Sequence, residues 1–145
     1  MKEIFGEKKT NYDYQLRRGC YAVIFNDSKT KFAAVLTSRG HYFLPGGGIE
    51  LSEEPEDCLR REVLEETGYD VSVISFIGEA QRYFFSLRNE PLLSEGIFFL
   101  AELAEKKQDP TDKDHLLEWV YTERAEILFH EHHFWAVRKA FERLK

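Results

Sequence analysis

Apolar and polar residues repeat along the chain with two different periods. Seven short segments alternate or cluster their apolar residues as strands do, and two longer segments space them like amphipathic helices. The predicted strands span residues 19–25, 31–36, 42–44, 71–77, 79–87, 97–103 and 117–121. The predicted helices span residues 55–67 and 131–144. Periodicity and length together therefore indicate one domain, residues 1–145, of the α/β or α+β class.

Turn-forming residues define how several of these segments connect. A polar turn at residues 26–28 separates the first two strands, so a hairpin is predicted there. Gly78 divides two predicted strands, which are either separate or one long strand bent at the glycine. Pro45 followed by glycines at 46–48 predicts a turn that no side chain obstructs, so its backbone can approach a ligand closely. Residues 108–114 are predicted to form a polar loop.

Charge and composition narrow the function classes. The net charge of −6 argues against general nucleic-acid binding, which neutralises many phosphates with clustered lysine and arginine. A small polyanion remains compatible with local cations, for which Arg18, Arg39 and Arg82 are candidates. The longest apolar run, residues 97–101, is too short to span a membrane, and no signal-peptide pattern is present. The two cysteines are expected in the core of a reduced protein, so we expect a cytoplasmic location.

Three carboxylates share one face near the end of the predicted helix 55–67. At about 100° per residue, Glu62, Glu65 and Glu66 fall within an arc of roughly 100°. Their like charges destabilise a helix and, close to Gly68 as the expected C-cap, oppose its dipole. A hard cation compensates such charge, because Mg²⁺ takes oxygen ligands from one or two carboxylates together with substrate phosphates. A solvated acidic face is the alternative interpretation.

The residues around this cluster follow a longer pattern. The Nudix box consists of Gly, five residues, Glu, seven residues, Arg-Glu, an aliphatic residue, any residue, Glu-Glu, any residue, Gly and an aliphatic residue. The chain supplies Gly47, Glu53, Arg61, Glu62, Val63, Glu65, Glu66, Gly68 and Tyr69. Only Tyr69 departs from the pattern, and an aromatic ring can fill the same apolar site. Residues 47–69 therefore resemble a complete Nudix box, and a looser resemblance runs from about residue 18 to residue 135.

Resemblance to the Nudix hydrolase family, with its MutT-like members, implies a fold, a cofactor and a reaction. The implied fold is an α/β/α sandwich with a mixed β-sheet between helices. The implied reaction is Mg²⁺-dependent hydrolysis of a diphosphate bond in a nucleoside diphosphate linked to another moiety, and Mn²⁺ can replace Mg²⁺. The implied metal ligands are Glu62, Glu65, Glu66 and the carbonyl of Gly46. The substrate-binding candidates are Arg18, Arg39, Gly47 and Gly48.

The resemblance leaves two positions open for the catalytic base. Glu62 is the candidate within the box, as base or as metal ligand, with Arg61 orienting it and Glu53 available to pair with Arg61. Some relatives instead use an acidic residue downstream, before the strand that carries the tryptophan. The downstream candidates are Asp114, which lies nearest that place, and the alternatives Glu118 and Glu95.

The sequence defines the substrate less closely than the reaction. The positions that mark ADP-ribose, dinucleoside polyphosphate and coenzyme A subfamilies do not match, so a (d)NTP pyrophosphohydrolase of MutT type is the default. Dinucleoside polyphosphates and nucleotide sugars are the alternative substrates. A non-catalytic nucleotide-binding module and a phosphate-independent interaction domain are the alternatives to an enzyme. The oligomeric state, monomer or homodimer, is left open.

Two aromatic segments have both a functional and a structural interpretation. Residues 130–133, His-Glu-His-His, lack the i,i+4 histidine pair of the helical zinc motif, so a polar helix start is favoured over a zinc site. Residues 83–85, Tyr-Phe-Phe, lie in a predicted strand, where alternate side chains fill a core more often than they stack on a nucleobase.

Overall fold

Strands and helices follow one another along the chain in nearly the predicted order. The structure is a computed structural model that describes residues 2–144. Its strands are β1 (Glu3–Phe5), β2 (Gln15–Ile24), β3 (Lys31–Thr37), β4 (Tyr42–Phe43), β5 (Gly46–Gly48), β6 (Tyr69–Phe85), β7 (Pro91–Lys106) and β8 (His115–Tyr121). Its helices are α1 (Pro55–Thr67), a 3₁₀ helix (Thr122–Ile127) and α2 (Glu131–Arg143). Among these described residues, no helix has the length and apolar character needed to cross a membrane.

The strands divide into two sheets. The larger sheet has the order β1-β6-β7-β2-β5 and is mixed, because β1 pairs with β6 and β2 with β7 in parallel while the other pairs are antiparallel. The smaller sheet, β4-β3-β8, is antiparallel throughout. The mixed sheet predicted for this α/β fold is therefore confirmed, and a second sheet lies beside it.

The two α-helices cover opposite faces of the larger sheet. Along β2, Cys20, Ala22 and Ile24 belong to a buried cluster with residues of α1, whereas Val23 belongs to a second cluster with residues of α2. Successive side chains of a strand point to opposite faces, so this alternation places one helix on each side. The α/β/α arrangement is thereby confirmed. Cys58 of α1 lies in the first cluster, and both cysteines are free and buried, as expected.

Helix α1 has the predicted bounds, and local signals account for both ends. Pro55 occupies the first turn, where its missing N–H leaves no intrahelical bond unmade. Gly68 adopts a left-handed φ of 81° and donates its N–H to the carbonyl of Leu64 at 2.9 Å, which is the expected C-cap. Leu59 and Val63 are fully buried and hold the helix on the sheet, so the opposite flank carries the polar residues.

The hairpin predicted between the first two strands is wrong. Strands β2 and β3 lie in different sheets and are joined by one antiparallel bridge, Phe25 to Phe32. The turn itself is present, because the side-chain oxygen of Asn26 accepts the amides of Thr30 and Lys31. The chain turns where expected, but the partner of each strand is chosen by burial on both faces, which turn residues do not encode.

Glycines shape two strands in ways that the sequence leaves open or misses. The predicted glycine turn at 46–48 is instead the short strand β5, paired with β2. The two strands predicted around Gly78 are one strand, β6, with a shift of register between Phe76 and Gly78. A Cβ on Gly78 would lie 3.0 Å from the ring of Trp135, so the glycine lets α2 approach the bend.

The histidines at the start of α2 do not form a polar surface turn. His130, His132 and His133 are buried, with ring centroids 4.9–5.1 Å apart. The segment begins helix α2, as the favoured interpretation expected, but its histidines are not the polar surface that this interpretation implied. The zinc interpretation gains no support either, since no three potential metal-ligating side chains within residues 2–144 converge on one point. His132 and His133 instead pack against Phe98, and His130 packs against Phe43, Phe84 and Phe129.

Candidate active site

Arg61 of α1 lies at the centre of the polar network around the predicted box. Its Nε and one terminal nitrogen donate to the two oxygens of Glu53 at 2.7 and 3.0 Å, a bidentate pairing. The other terminal nitrogen donates to Glu62 Oε1 at 2.9 Å, and a further bond reaches the carbonyl of Gly48 at 3.0 Å. Arg61 therefore fills both roles that the sequence allowed: it pairs with Glu53 and it holds Glu62.

This network fixes the charge of Glu53. The hydrogen bonds from Arg61 lower the pKa of Glu53 to about 2, and the guanidinium pKa of Arg61 is raised in turn. One oxygen of Glu53 also accepts the amide of Glu50 at 3.0 Å. Glu53 therefore stays ionised at neutral pH and acts as an anchor for Arg61.

Glu66 is buried beneath the glycine strand. One of its oxygens accepts the amide N–H of Gly46 at 2.9 Å. Burial raises its pKa well above the ordinary value, the Gly46 bond opposes this, and the nearby charge of Glu62 adds to the increase. A buried carboxylate with one free oxygen is an expensive arrangement unless a positive charge compensates it.

Glu62 lies against the backbone of the same strand. A Cβ on Gly47 would lie 2.4 Å from Glu62 Oε2, so any larger residue at this position would have to displace the carboxylate. Burial raises the pKa of Glu62, although Arg61 opposes the increase and Glu65 adds to it. The sequence predicted that the glycines permit a close approach, and the group approached most closely here is a carboxylate of the protein itself.

Glu65 is the most exposed of the three acids. Its side chain is 44% exposed and lies 3.6 Å from Arg61. Its backbone carbonyl accepts the amides of Thr111 and Asp112, each at 3.0 Å. The C-terminal end of α1 is therefore tied to the loop that precedes β8.

Two adjoining cavities open beside these residues. The first, which we call the acid cavity, has a volume of about 250 Å³. It is lined by Tyr21, Val35, Thr37, Phe43, Leu44, Gly46, Gly47, Glu62, Glu66 and His115. The second, the aromatic cavity, has a volume of about 510 Å³ and shares Thr37 and Phe43 with the first. Its other lining residues are Arg17, Ser38, Arg39, His41, Phe84, Ser86, Leu87, Arg88, Glu90, Leu92, Phe129 and His130.

The substrate-binding candidates lie in different places. Gly47 lines the acid cavity and Arg39 the aromatic cavity. Arg18 lines a neighbouring cavity with Gly48, where its Nε donates to Glu95 at 2.8 Å. The structure therefore brings Gly47 to the acids and places the two arginines in two other cavities.

The downstream acids do not join the cluster within residues 2–144. Asp114 is exposed, and its described polar contact is the backbone bond from the amide of Ser38. Glu95 is buried and binds Lys2, Arg18 and Gln81. Glu118 accepts the hydroxyl of Tyr42 at 3.0 Å.

Two residues that the sequence interpretation passed over reach the site instead. His115, the first residue of β8, lines the acid cavity with Glu62 and Glu66. Asp112 contacts His115 through its carboxylate, and its charge raises the pKa of both glutamates. Their position in the polar loop before the predicted strand 117–121 is the available sequence signal. It does not distinguish Asp112 from Asp114, because both precede the strand.

Among the aromatic residues 83–85, only the middle one faces a cavity. Phe84 lines the aromatic cavity, and Arg82 lies over its ring at 5.4 Å. Tyr83 packs on Tyr14 and Phe85 on Tyr12. Phe84 is thus the residue of this segment available to contact a ligand.

The donor atoms at the acid cavity fit a hard divalent cation. They are carboxylate oxygens of Glu62 and Glu66, which line the cavity, and of Glu65 on the same helix. The buried Glu66 has no cationic partner among the described side chains. Since no three such side chains converge on one point in residues 2–144, a cation would need further oxygens from backbone, water or substrate. Mg²⁺ is commonly bound in this way, through one or two carboxylates and substrate phosphates.

Comparison with known proteins shows the family to which this chain is related. The model of the NUDIX domain family matches residues 15–144. A GDP-mannose pyrophosphatase of Salmonella typhimurium is 30% identical over 111 residues, which cover 69% of this chain and 54% of that protein. A Bacillus subtilis protein provisionally named 8-oxo-dGTP diphosphatase is 32% identical over 65 residues, or 45% of this chain and 44% of that protein. The chain thus spans about half the length of these curated relatives.

A solved structure shares the fold. A NUDIX hydrolase from Nitrosomonas europaea superimposes with a TM-score of 0.73 at 17% identity, covering 89% of this chain and 90% of that one. The family match covers nearly the whole chain, and Glu53, Arg61 and Glu62 of the box form one connected hydrogen-bond network. This chain belongs to the NUDIX family.

Proposed function

We propose that this protein hydrolyses a phosphoanhydride bond in a nucleoside diphosphate linked to another moiety, with Mg²⁺ as cofactor and Mn²⁺ able to replace it. The observation that carries the proposal is the pair of adjoining cavities. One contains the carboxylates Glu62 and Glu66, and the other is lined by Phe43, Phe84 and Phe129. A substrate with a diphosphate joined to an aromatic base has the two chemistries that these cavities offer.

Each residue of the box has a definable part in this reaction. Glu62, Glu65 and Glu66, with the carbonyl of Gly46, would hold the cation. When bound, the cation neutralises the diphosphate and lowers the pKa of a coordinated water. Arg61 holds Glu62 in one orientation through the 2.9 Å bond, and the pairing with Glu53 fixes Arg61 itself.

A nucleoside triphosphate is the first candidate substrate. The aromatic cavity provides flat rings for stacking on a base, and Arg39 provides a positive charge at its edge. Cleavage of a triphosphate between the α and β phosphates then gives a nucleoside monophosphate and pyrophosphate. A nucleotide sugar is the second candidate, favoured by the similarity to the GDP-mannose pyrophosphatase over 69% of this chain.

Hydrolysis of a substrate panel in ¹⁸O-labelled water tests the proposal. The panel contains (d)NTPs, a dinucleoside polyphosphate and GDP-mannose, each with Mg²⁺, with Mn²⁺ and with a chelator. We expect metal-dependent cleavage of one P–O–P bond, with label in one product of each turnover. Orthophosphate as the sole labelled product from every substrate, or turnover that survives the chelator, contradicts the proposal.

Two glutamate-to-glutamine substitutions on helix α1 provide a matched comparison. Glu66→Gln removes a buried acid from the cavity, and Glu56→Gln removes an exposed acid from the first turn of α1. We expect the first to lose most activity and the second to keep it. Equal activity of the two variants at saturating Mg²⁺ is inconsistent with the proposed cation site.

A further inference from the structure

We infer that His115 is a catalytic residue of this chain, which accepts the proton of the attacking water, and that Asp112 is its positioning residue. The inference rests on the proposed hydrolysis of a diphosphate bond. The sequence left the catalytic base open between Glu62 and a downstream acid. The inference assigns this role to His115 and to neither of those candidates. The carrying observation is that His115 shares the acid cavity with Glu62 and Glu66 while Asp112 contacts its ring.

The contact with Asp112 places a negative charge beside the ring of His115. His115 Nδ1 is buried and lies against Asp112 Oδ2, but it has no hydrogen-bond partner within residues 2–144. A ring that takes up a proton becomes positive, and an adjacent carboxylate stabilises that charge. His115 therefore contributes to the acid cavity a basic ring with an anionic neighbour.

The loop that carries the pair is fixed on both sides of the cavity. The amides of Thr111 and Asp112 donate to the carbonyl of Glu65 at 3.0 Å each, which ties the loop to α1. His115 itself is paired with Thr37 of β3, another residue of the acid cavity. The backbone from which the imidazole extends is therefore held by two independent sets of backbone bonds.

The other titratable groups near the cavity are already engaged or lie elsewhere. Glu62 accepts from Arg61, and Glu66 accepts from Gly46. Both carboxylates are also the candidates to hold the cation, which leaves them poorly suited to take up a proton. Asp114 is exposed on the same loop. His115 is thus the group in the acid cavity with a free basic atom and an orienting partner.

The proposed step conserves atoms and charge. The water oxygen forms a bond to phosphorus, and the bond from that phosphorus to the bridging oxygen breaks. The leaving phosphate keeps the electron pair of the broken bond. One proton of the water moves to the ring of His115 and passes from there to solvent, and the other stays on the phosphate that the water has joined. Asp112 stabilises the positive ring in the interval.

Substitution kinetics test the assignment with the substrate that the wild type cleaves best. His115→Gln and His115→Ala should each lower kcat by about 10²- to 10⁴-fold, the usual contribution of general base catalysis, with KM nearly unchanged. Asp112→Asn should lower kcat about tenfold or more, because an amide does not stabilise the positive ring that forms when His115 takes up the proton. Asp109→Asn makes the same change at an exposed position of the same loop and should keep wild-type kinetics.

Chemical rescue separates catalysis from structure. Imidazole added to His115→Ala should restore kcat at least about tenfold and should leave the kcat of the wild type unchanged. If the loss in this variant is merely structural, added imidazole does not restore kcat. Urea unfolding of each variant identifies any that fail to fold. Wild-type kcat in folded His115→Gln, or a large loss without imidazole rescue, overturns the inference. If the wild type cleaves no substrate of the panel, the proposed function fails, and the inference fails with it.

Discussion

Lowering the pH from about 7.5 to about 5.5 should destabilise this protein through its three buried histidines. Burial lowers the pKa of His130 to about 2 and that of His132 to about 3. Burial also lowers the pKa of His133 well below its ordinary value, and the charge of Arg82 acts in the same direction. The folded protein therefore keeps these rings neutral at a pH where the unfolded chain takes up protons.

The direction and size of the effect follow from these depressed pKa values. The stability that these neutral histidines contribute is fully present above the histidine pKa of the unfolded chain, about 6.5. It is lost as the pH falls towards the lower pKa values of the folded protein. Each histidine that stays neutral in the folded protein lowers the free energy of unfolding by RT ln(1 + 10^(6.5 − pH)), which is about 1.4 kcal/mol at pH 5.5. Three such histidines lower it by about 4 kcal/mol. The titration of Glu66 has the opposite effect on stability, because burial raises its pKa. On acidification it offsets at most about 1.4 kcal/mol of the histidine effect per pH unit.

His133→Asn isolates one of the three contributions. Nδ1 of His133 accepts the amide of Leu44 at 3.2 Å, and the oxygen of asparagine can accept the same bond without titrating. The free energy of unfolding in urea is measured at both pH values. The loss on acidification should be about 1.4 kcal/mol smaller in the variant than in the wild type.

A control at the same helix distinguishes titration from packing. Val137→Ala removes buried volume from α2 and should lower stability by a similar amount at both pH values. Its loss on acidification should therefore equal that of the wild type. If His133→Asn also shows the full wild-type loss, the ring is not held neutral by burial and the reasoning is refuted.

Three further predictions concern the acid cavity. Glu65→Gln and Glu66→Gln should each remove most activity. In calorimetry, Mg²⁺ should raise the Tm of the wild type but not that of Glu66→Gln, and a Tm increase in this variant contradicts the assignment of Glu66 as a metal ligand. Arg61→Lys should lower kcat about 10- to 100-fold while KM changes much less, because lysine cannot reproduce the bidentate bonds to Glu53. An unchanged kcat would mean that Arg61 has no part in catalysis. Gly47→Ala should lower kcat about 100-fold, since the new Cβ displaces a carboxylate 2.4 Å away, and steady-state kinetics that match the wild type would exclude this contact.

Local signals made the acidic helix predictable from the sequence. Pro55, the Leu59–Val63 spacing and Gly68 determine where α1 begins, which face is buried and where it ends. The box pattern then places Arg61 beside Glu53 and Glu62, because the residues are close in sequence and share one helix or its entry loop. The sequence could not tell that Arg61 contacts both acids at once, since this depends on side-chain geometry.

Contacts between distant segments account for what the sequence did not give. The amides that meet Glu65 come from residues 111 and 112, and the strand that covers Glu66 and Glu62 comes from residues 46 and 47. Asp112 and Asp114 are equivalent in local pattern, and the bonds from the amides of Thr111 and Asp112 to Glu65 hold the loop in which Asp112 contacts His115.

The sequence by itself therefore determined the helix, its acidic face and the family, because these depend on residues within a few turns of one another. Only the tertiary structure decided which strand pairs with which, that the histidines of α2 are buried, and that His115 joins Glu62 and Glu66 in one cavity. Such arrangements depend on which surfaces exclude water together, and that is a property of the whole packed chain.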